Sequence, residues 1–343
     1  MSGGDAAAPR RTTVADLSVP AGLEVWLAQL EDLSWLHVAG RDPARLRIVA
    51  TLLHGNEPSG IRALHRWLRL GVEPATDLWL LIGAVRAALE PPVFAHRFLA
   101  AHGDLNRCWT SAPSDPRTRR VAELARALSR SNAELLIDMH NNTGHNPVYG
   151  VGPRRDAVVL AVVSLFGRRF VHSSLALGTL VEAMAPHFPS VTIECGRAGD
   201  PGADAAAFYG LSRVLALDSL TPLDAAYEDM QLLGDPIRVT LRAGTRLRFD
   251  RAPDAAADLT LDPDLDRHNF ELLDAGAPLG WLRGDALPLC AHDASGVDRA
   301  HDLFASHEGR LAAARPWIPV MVTTDPIAAR IDCLFYVVQP LAR

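Results

Sequence analysis

Four polar groupings interrupt the apolar runs of this chain: His54-Gly55-Asn56-Glu57, Asp104-Leu105-Asn106-Arg107, His140, and Glu194 followed by Cys195-Gly196. Two imidazoles and one carboxylate make a three-ligand zinc set that leaves a position for water, the arrangement of catalytic zinc. His54 and Glu57, close together at a strand-to-helix turn, can point at one ion, and His140 can reach it from another strand end. A zinc ion lowers the pKa of its bound water to about 7 and polarises a carbonyl. Glu194, outside the ligand set, can then take the proton of the attacking water and hand it to a leaving nitrogen. Oxyanion charge calls for a cation, and a substrate carboxylate calls for a planar two-point donor. All 34 cationic residues are Arg and none is Lys, so arginine must fill both roles.

Blander readings compete with each grouping. A lone His-x-x-Glu arises readily by chance, and His140 alone reads as an ordinary strand-end histidine. Asp104 and Arg107 could be an ion pair on a surface helix, worth only ~0.3–0.5 kcal/mol. Glu194 is harder to dismiss, because an unpaired carboxylate ending an apolar strand is costly. His65 lies on a helical face, His145 could donate beside His140 or be solvated, and His307-Glu308 lacks a partner of matching spacing.

Other chemistries are excluded. Without lysine there is no Schiff-base or pyridoxal-phosphate lysine, no P-loop and no kinase lysine. There is no Gly-x-Ser-x-Gly elbow, and Gly150-Val151-Gly152 is too short for a dinucleotide fingerprint. A net charge of −6 with no basic run argues against nucleic acid. Cys108, Cys195, Cys290 and Cys333 form no CxxC pair, which points to free thiols in a reducing compartment. The polar N-terminus lacks a signal peptide's apolar stretch, and the apolar run around residues 78–89 is short and contains Arg86. A cytoplasmic protein that meets no membrane and acts on a small molecule is expected; a homo-oligomer stays open.

These groups must be held at strand ends. Residues 46–53, 77–82, 134–139 and 190–194 read as buried strands, with His140 just after the third and Glu194 closing the fourth. Helical spacing covers 119–129 and 203–217, and Pro58 opens a helix through residue 70. Such alternation implies an α/β fold, a mainly parallel, mixed sheet covered by helices on both faces. Ligands of such sheets gather at the carboxyl ends of the strands. After about residue 225, short β-like runs separated by Gly, Pro and Asp imply a smaller β-rich C-terminal domain, giving domains 1–225 and 226–343.

Taken in order, HGNE, RFLAAHGDLNRCW, IDMHNNTG and TIECG resemble the succinylglutamate desuccinylase/aspartoacylase family, a branch of the zinc carboxypeptidase-like hydrolases. The resemblance covers residues 45–220. It implies one zinc per chain on His54, Glu57 and His140, Glu194 as general base, and Asn106 with Arg107 as the clamp on a substrate α-carboxylate. It also implies that Arg97, before Phe98, polarises the scissile carbonyl. Family members that remove acidic acyl groups carry an arginine shortly before the general-base strand; residues 182–196 contain none. The expectation is a zinc-dependent amidohydrolase that deacylates small N-acyl amino acids with uncharged acyl groups. The alternatives are a metallocarboxypeptidase acting on peptides and a binding or regulatory protein on a retired hydrolase scaffold.

Overall fold

The computed structural model describes residues 12–220 and 229–342. The domain boundary expected at residue 225 lies outside the described residues. The chain divides into two compact units. The first gathers the residues up to Asn141, Val148–Arg168 and Ala176–Met230; the second gathers Asn142–Pro147, Arg169–Leu175 and the residues from Gln231 onward.

The first unit is built on strands β1 (Ser34–Val38), β2 (Asp42–Thr51), β3 (Thr76–Ile82), β4 (Leu135–Asn142), β5 (Tyr149–Gly152) and β6 (Ser190–Arg197). Their spatial order is β1-β3-β2-β4-β6-β5. β2 runs parallel to both β3 and β4, while β1 on β3 and β5 on β6 are antiparallel, so the sheet is mixed as expected.

Strand alternation sorts the side chains onto two faces. Ile48, Ala50 and Leu136 share one core with Val121, Leu124 and Leu128 of helix α2 (Pro116–Ser129). The opposite face carries Thr51 and Met139, and helix α1 (Ser59–Arg69) lies directly on it. A Cβ at Gly60 would come within 2.3 Å of Thr51 Oγ1 and 2.7 Å of Met139 Cβ, so only glycine lets α1 sit this close. α2 begins earlier than its apolar spacing suggests. Asp115 accepts from the Arg117 and Thr118 amides, Thr118 returns the bond, and Pro116 sets the first turn.

Two strand ends differ from expectation. β4 continues through Asn142 and β6 through Arg197, so His140 sits within its strand and not just beyond it, and Glu194 lies three residues before its strand's end. Polar residues at 140–142 look like a strand terminus in sequence. His140 stays buried between the Glu57 and Asp138 carboxylates, and Asn141 between Ser59 and the Gly196 carbonyl. Pro58 is the N-cap of α1, one residue ahead of the first turn.

The second unit holds a five-stranded sheet and a further group of strands in which Phe335–Pro340 pairs with Gln231–Leu241 and Ile318–Val320. Its largely aliphatic core holds one aromatic cluster: Trp317 stacks on Phe335 at 5.7 Å, and Phe304 meets both edge-on. Among the described residues no helix is long and apolar enough to cross a membrane.

Candidate active site

After Thr51 the chain leaves β2 through Leu52, whose φ of 58° lies in the left-handed region that a leucine rarely enters. The Ala84 amide holds the Leu52 carbonyl there at 2.6 Å, and the turn brings His54 and Glu57 above the sheet. Gly55 packs this turn against its surroundings. A Cβ there would lie 2.6 Å from both the Ala88 nitrogen and the His96 oxygen, while the Gly55 amide donates to the Arg97 carbonyl at 2.9 Å. Arg97 is thereby tied to the turn that carries His54.

His54, Glu57 and His140 converge. His54 Nδ1 lies 2.8 Å from Glu57 Oε1 and His140 Nδ1 lies 2.7 Å from Glu57 Oε2. One ligand atom from each falls within 4.8 Å of the others, and all three residues are buried. The far side of each ring is held by a carboxylate: His54 Nε2 by Asp104 Oδ1 at 3.0 Å, His140 Nε2 by Asp138 Oδ2 at 2.8 Å. With a metal in place, carboxylates in these positions would keep the proton on Nε2 and leave the Nδ1 lone pairs to the ion. Two imidazole nitrogens and a carboxylate oxygen, each braced from behind, suit a zinc ion.

The electrostatics follow from burial and these pairings. Burial alone would raise the Glu57 carboxyl, but His54 and His140 outweigh it and hold it well below the usual range. Burial would lower His140, but Asp138 and Glu57 together raise it well above an ordinary imidazole. Asp104 is held low against its own desolvation by the His54 hydrogen bond and by the charges of His54, Arg97 and Arg107. Glu194 behaves differently. Burial pushes it up to about 7, with the charges of His140 and His54 pulling it down and those of Glu57 and Asp138 adding to the rise. It therefore sits close enough to feel the whole cluster, with a proton affinity near neutrality.

The remaining expected residues come to the same place. Arg97 reaches Asp104 Oδ2 with Nε at 3.1 Å and Glu57 Oε1 with Nη1 at 3.4 Å. Asp104 caps the short turn Leu105–Arg107 by accepting from the Asn106 amide, which rules out the surface-helix reading of this segment. Asn106 Oδ1 accepts from the Leu180 amide at 2.9 Å, which orients the side-chain amide so that Nδ2 lies 3.3 Å from His140 Nε2. Arg107 Nη1 donates to the Asn106 carbonyl at 2.9 Å. His145 is exposed; its amide donates to Asp266, and it is no part of the cluster. His65 is buried in α1, stacked on Trp26 and bonded to the Pro20 carbonyl.

Sequence reasoning did not single out Asp138. The signal was present, because alternation in Ile-Asp-Met-His puts Asp138 on the same side of β4 as His140.

The mixed sheet, its helices and this strand-end site define a zinc carboxypeptidase-like fold. Residues 44–212 match the model of the succinylglutamate desuccinylase/aspartoacylase catalytic domain. Residues 44–212 thus carry the catalytic domain of that family. No curated protein is similar enough in sequence to match. Solved structures share the fold at low identity. A succinylglutamate desuccinylase/aspartoacylase from Rhodobacter sphaeroides superposes with a TM-score of 0.58 at 16% identity, covering 89% of this chain and 88% of that one. The succinylglutamate desuccinylase of Chromobacterium violaceum gives 0.57 at 15%, covering 94% and 98%. Murine aminoacylase 3 gives 0.53 at 19%, covering 88% and 97%.

Proposed function

We propose that this protein is a zinc-dependent amidohydrolase that removes an uncharged acyl group from small N-acyl amino acids. The observation that carries the reading is the convergence of His54 Nδ1 and His140 Nδ1 on the Glu57 carboxylate, with Glu194 buried beside them. The match of residues 44–212 to that catalytic domain supports it, as does the likeness in fold to an aminoacylase and a succinylglutamate desuccinylase.

His54, Glu57 and His140 would hold the metal, whose Lewis acidity would acidify a water and polarise the scissile carbonyl. Glu194 accepts the proton of the attacking water and returns it to the departing amine nitrogen, a role suited to a carboxyl whose affinity lies near neutrality. Arg97, held by Asp104 beside Glu57, offers its guanidinium to the charge that develops on the carbonyl oxygen. Arg107 grips the substrate α-carboxylate, and Asn106 Nδ2 assists.

Arg107→Lys keeps the charge but loses the fork. KM is expected to rise at least about tenfold with kcat changed less, and an amidated substrate should lose the discrimination. Unchanged KM for the acid would remove the clamp.

The acyl group is read from what surrounds its side of the site. The Glu182 carboxylate is occupied by the Leu177 and Gly178 amides, and the segment before β6 supplies no arginine. Arg197 is exposed, and Arg169 is engaged with Gln231 and the Phe270 ring within the second unit. A buried acyl carboxylate left unpaired would be strongly disfavoured. The test compares kcat/KM of the zinc-loaded protein for acetyl and succinyl derivatives of one amino acid, with a dipeptide series alongside. Acetyl should be favoured at least about tenfold, equivalent to roughly 1.4 kcal/mol. A succinyl preference of that size would overturn the acyl specificity. Hydrolysis of peptides alone would overturn the deacylase reading.

A further inference from the structure

Asn141 follows the proposed ligand His140 but points to the opposite face of β4, where it makes four hydrogen bonds. Its side-chain Oδ1 accepts from the Ser59 amide at 2.9 Å. Its Nδ2 donates to Ser59 Oγ at 3.0 Å and to the Gly196 carbonyl at 3.0 Å. Its own amide donates to Glu57 Oε2 at 3.2 Å.

These partners belong to two pieces of chain that Asn141, on β4, must hold in register. Ser59 opens α1 just after Glu57, and Gly196 lies just beyond Glu194 on β6. The orientation of the amide is fixed by its partners. The Ser59 amide requires an acceptor and the Gly196 carbonyl requires a donor, so Oδ1 and Nδ2 cannot exchange. Ser59 Oγ donates to Asp204 Oδ1 at 2.6 Å, which leaves its lone pairs for Asn141, and Arg62 holds the other Asp204 oxygen at 3.0 Å. No other side chain of this size offers one acceptor and two donors in one plane.

We propose that Asn141 is a positioning residue that locks the Glu57 turn to the Glu194 strand, setting the metal ligands and the general base at a fixed separation. The inference rests on the roles given to Glu57 and Glu194 above. It acts on geometry and not on the substrate clamp, so its loss should lower kcat and leave KM nearly unchanged.

The test is Asn141→Leu, which keeps the volume and removes all three side-chain hydrogen bonds, with zinc affinity read by chelator competition. A fall of about 10- to 100-fold is expected, with reduced kcat and unchanged KM. Zinc affinity and kcat within about threefold of wild type would overturn the proposal, even if thermal stability dropped. Should Asn141→Leu fail to fold, Ser59→Ala removes one arm and keeps the Oδ1 bond. A smaller fall in zinc affinity with unchanged KM supports the lock, and wild-type zinc affinity overturns it. Glu57→Gln separates the two readings. If wild type binds zinc and Glu57→Gln does not, the ligand assignment stands, and wild-type behaviour in the Asn141 and Ser59 variants then refutes the lock alone. If Glu57→Gln holds zinc normally, the ligand assignment itself has failed.

Discussion

Glu194→Gln is expected to retain zinc and the fold yet lose at least about 10²-fold in kcat, the scale of a positioned general base. The carboxyl is buried within β6, and that burial pushes its pKa up to about 7. A base works only when ionised, so kcat/KM should fall as pH is lowered through this pKa. A cation on His54, Glu57 and His140 draws the pKa down, placing the acidic limb at or below about 7. Glutamine cannot ionise, and the limb should vanish with the rate. A second sign separates this loss from misfolding. Because the folded pKa of Glu194 is raised, its contribution to stability is full below the ordinary glutamate value and is lost as pH rises toward about 7. Metal-free Glu194→Gln should therefore melt higher than metal-free wild type at pH values above about 7. Turnover within about threefold of wild type would place the base elsewhere.

His140→Ala and Glu57→Ala should each lose the bound zinc and, with it, the activity. Both residues are buried, and each contributes one of the converging ligand atoms. Removing His140 also leaves Asp138, already fully buried, without its imidazole partner. An uncompensated buried charge is costly, so this variant should be the less stable of the two. Elemental analysis checks the metal, and hydrolysis of an N-acyl amino acid checks the turnover. Full zinc occupancy with wild-type rates in both variants would sink the ligand assignment.

Much of this was legible in the sequence. Apolar runs marked the strands later seen as β2, β3, β4 and β6, Pro58 marked α1 and helical spacing marked α2, because each pattern is written within a few residues. The residue types of His54, Glu57 and His140 pointed to a metal-ligand set, and the three side chains do converge. The start of α2 could also have been read from Asp115-Pro116-Arg117-Thr118, a capping box overlooked in favour of apolar spacing.

Tertiary structure decided what surrounds those ligands. Asp104 lies 50 residues from His54, and His140 lies 83 residues from Glu57; no local pattern pairs them. They meet because β4 pairs directly with β2 although the whole of β3 and α2 intervenes in the chain. That strand order sets His140 opposite Glu57 and Asn141 between α1 and β6. It also explains why β4 runs on past His140, where the sequence alone would end it. A polar side chain ends a buried strand only when it has no partner, and here the partners are supplied by segments distant in sequence but adjacent in the sheet.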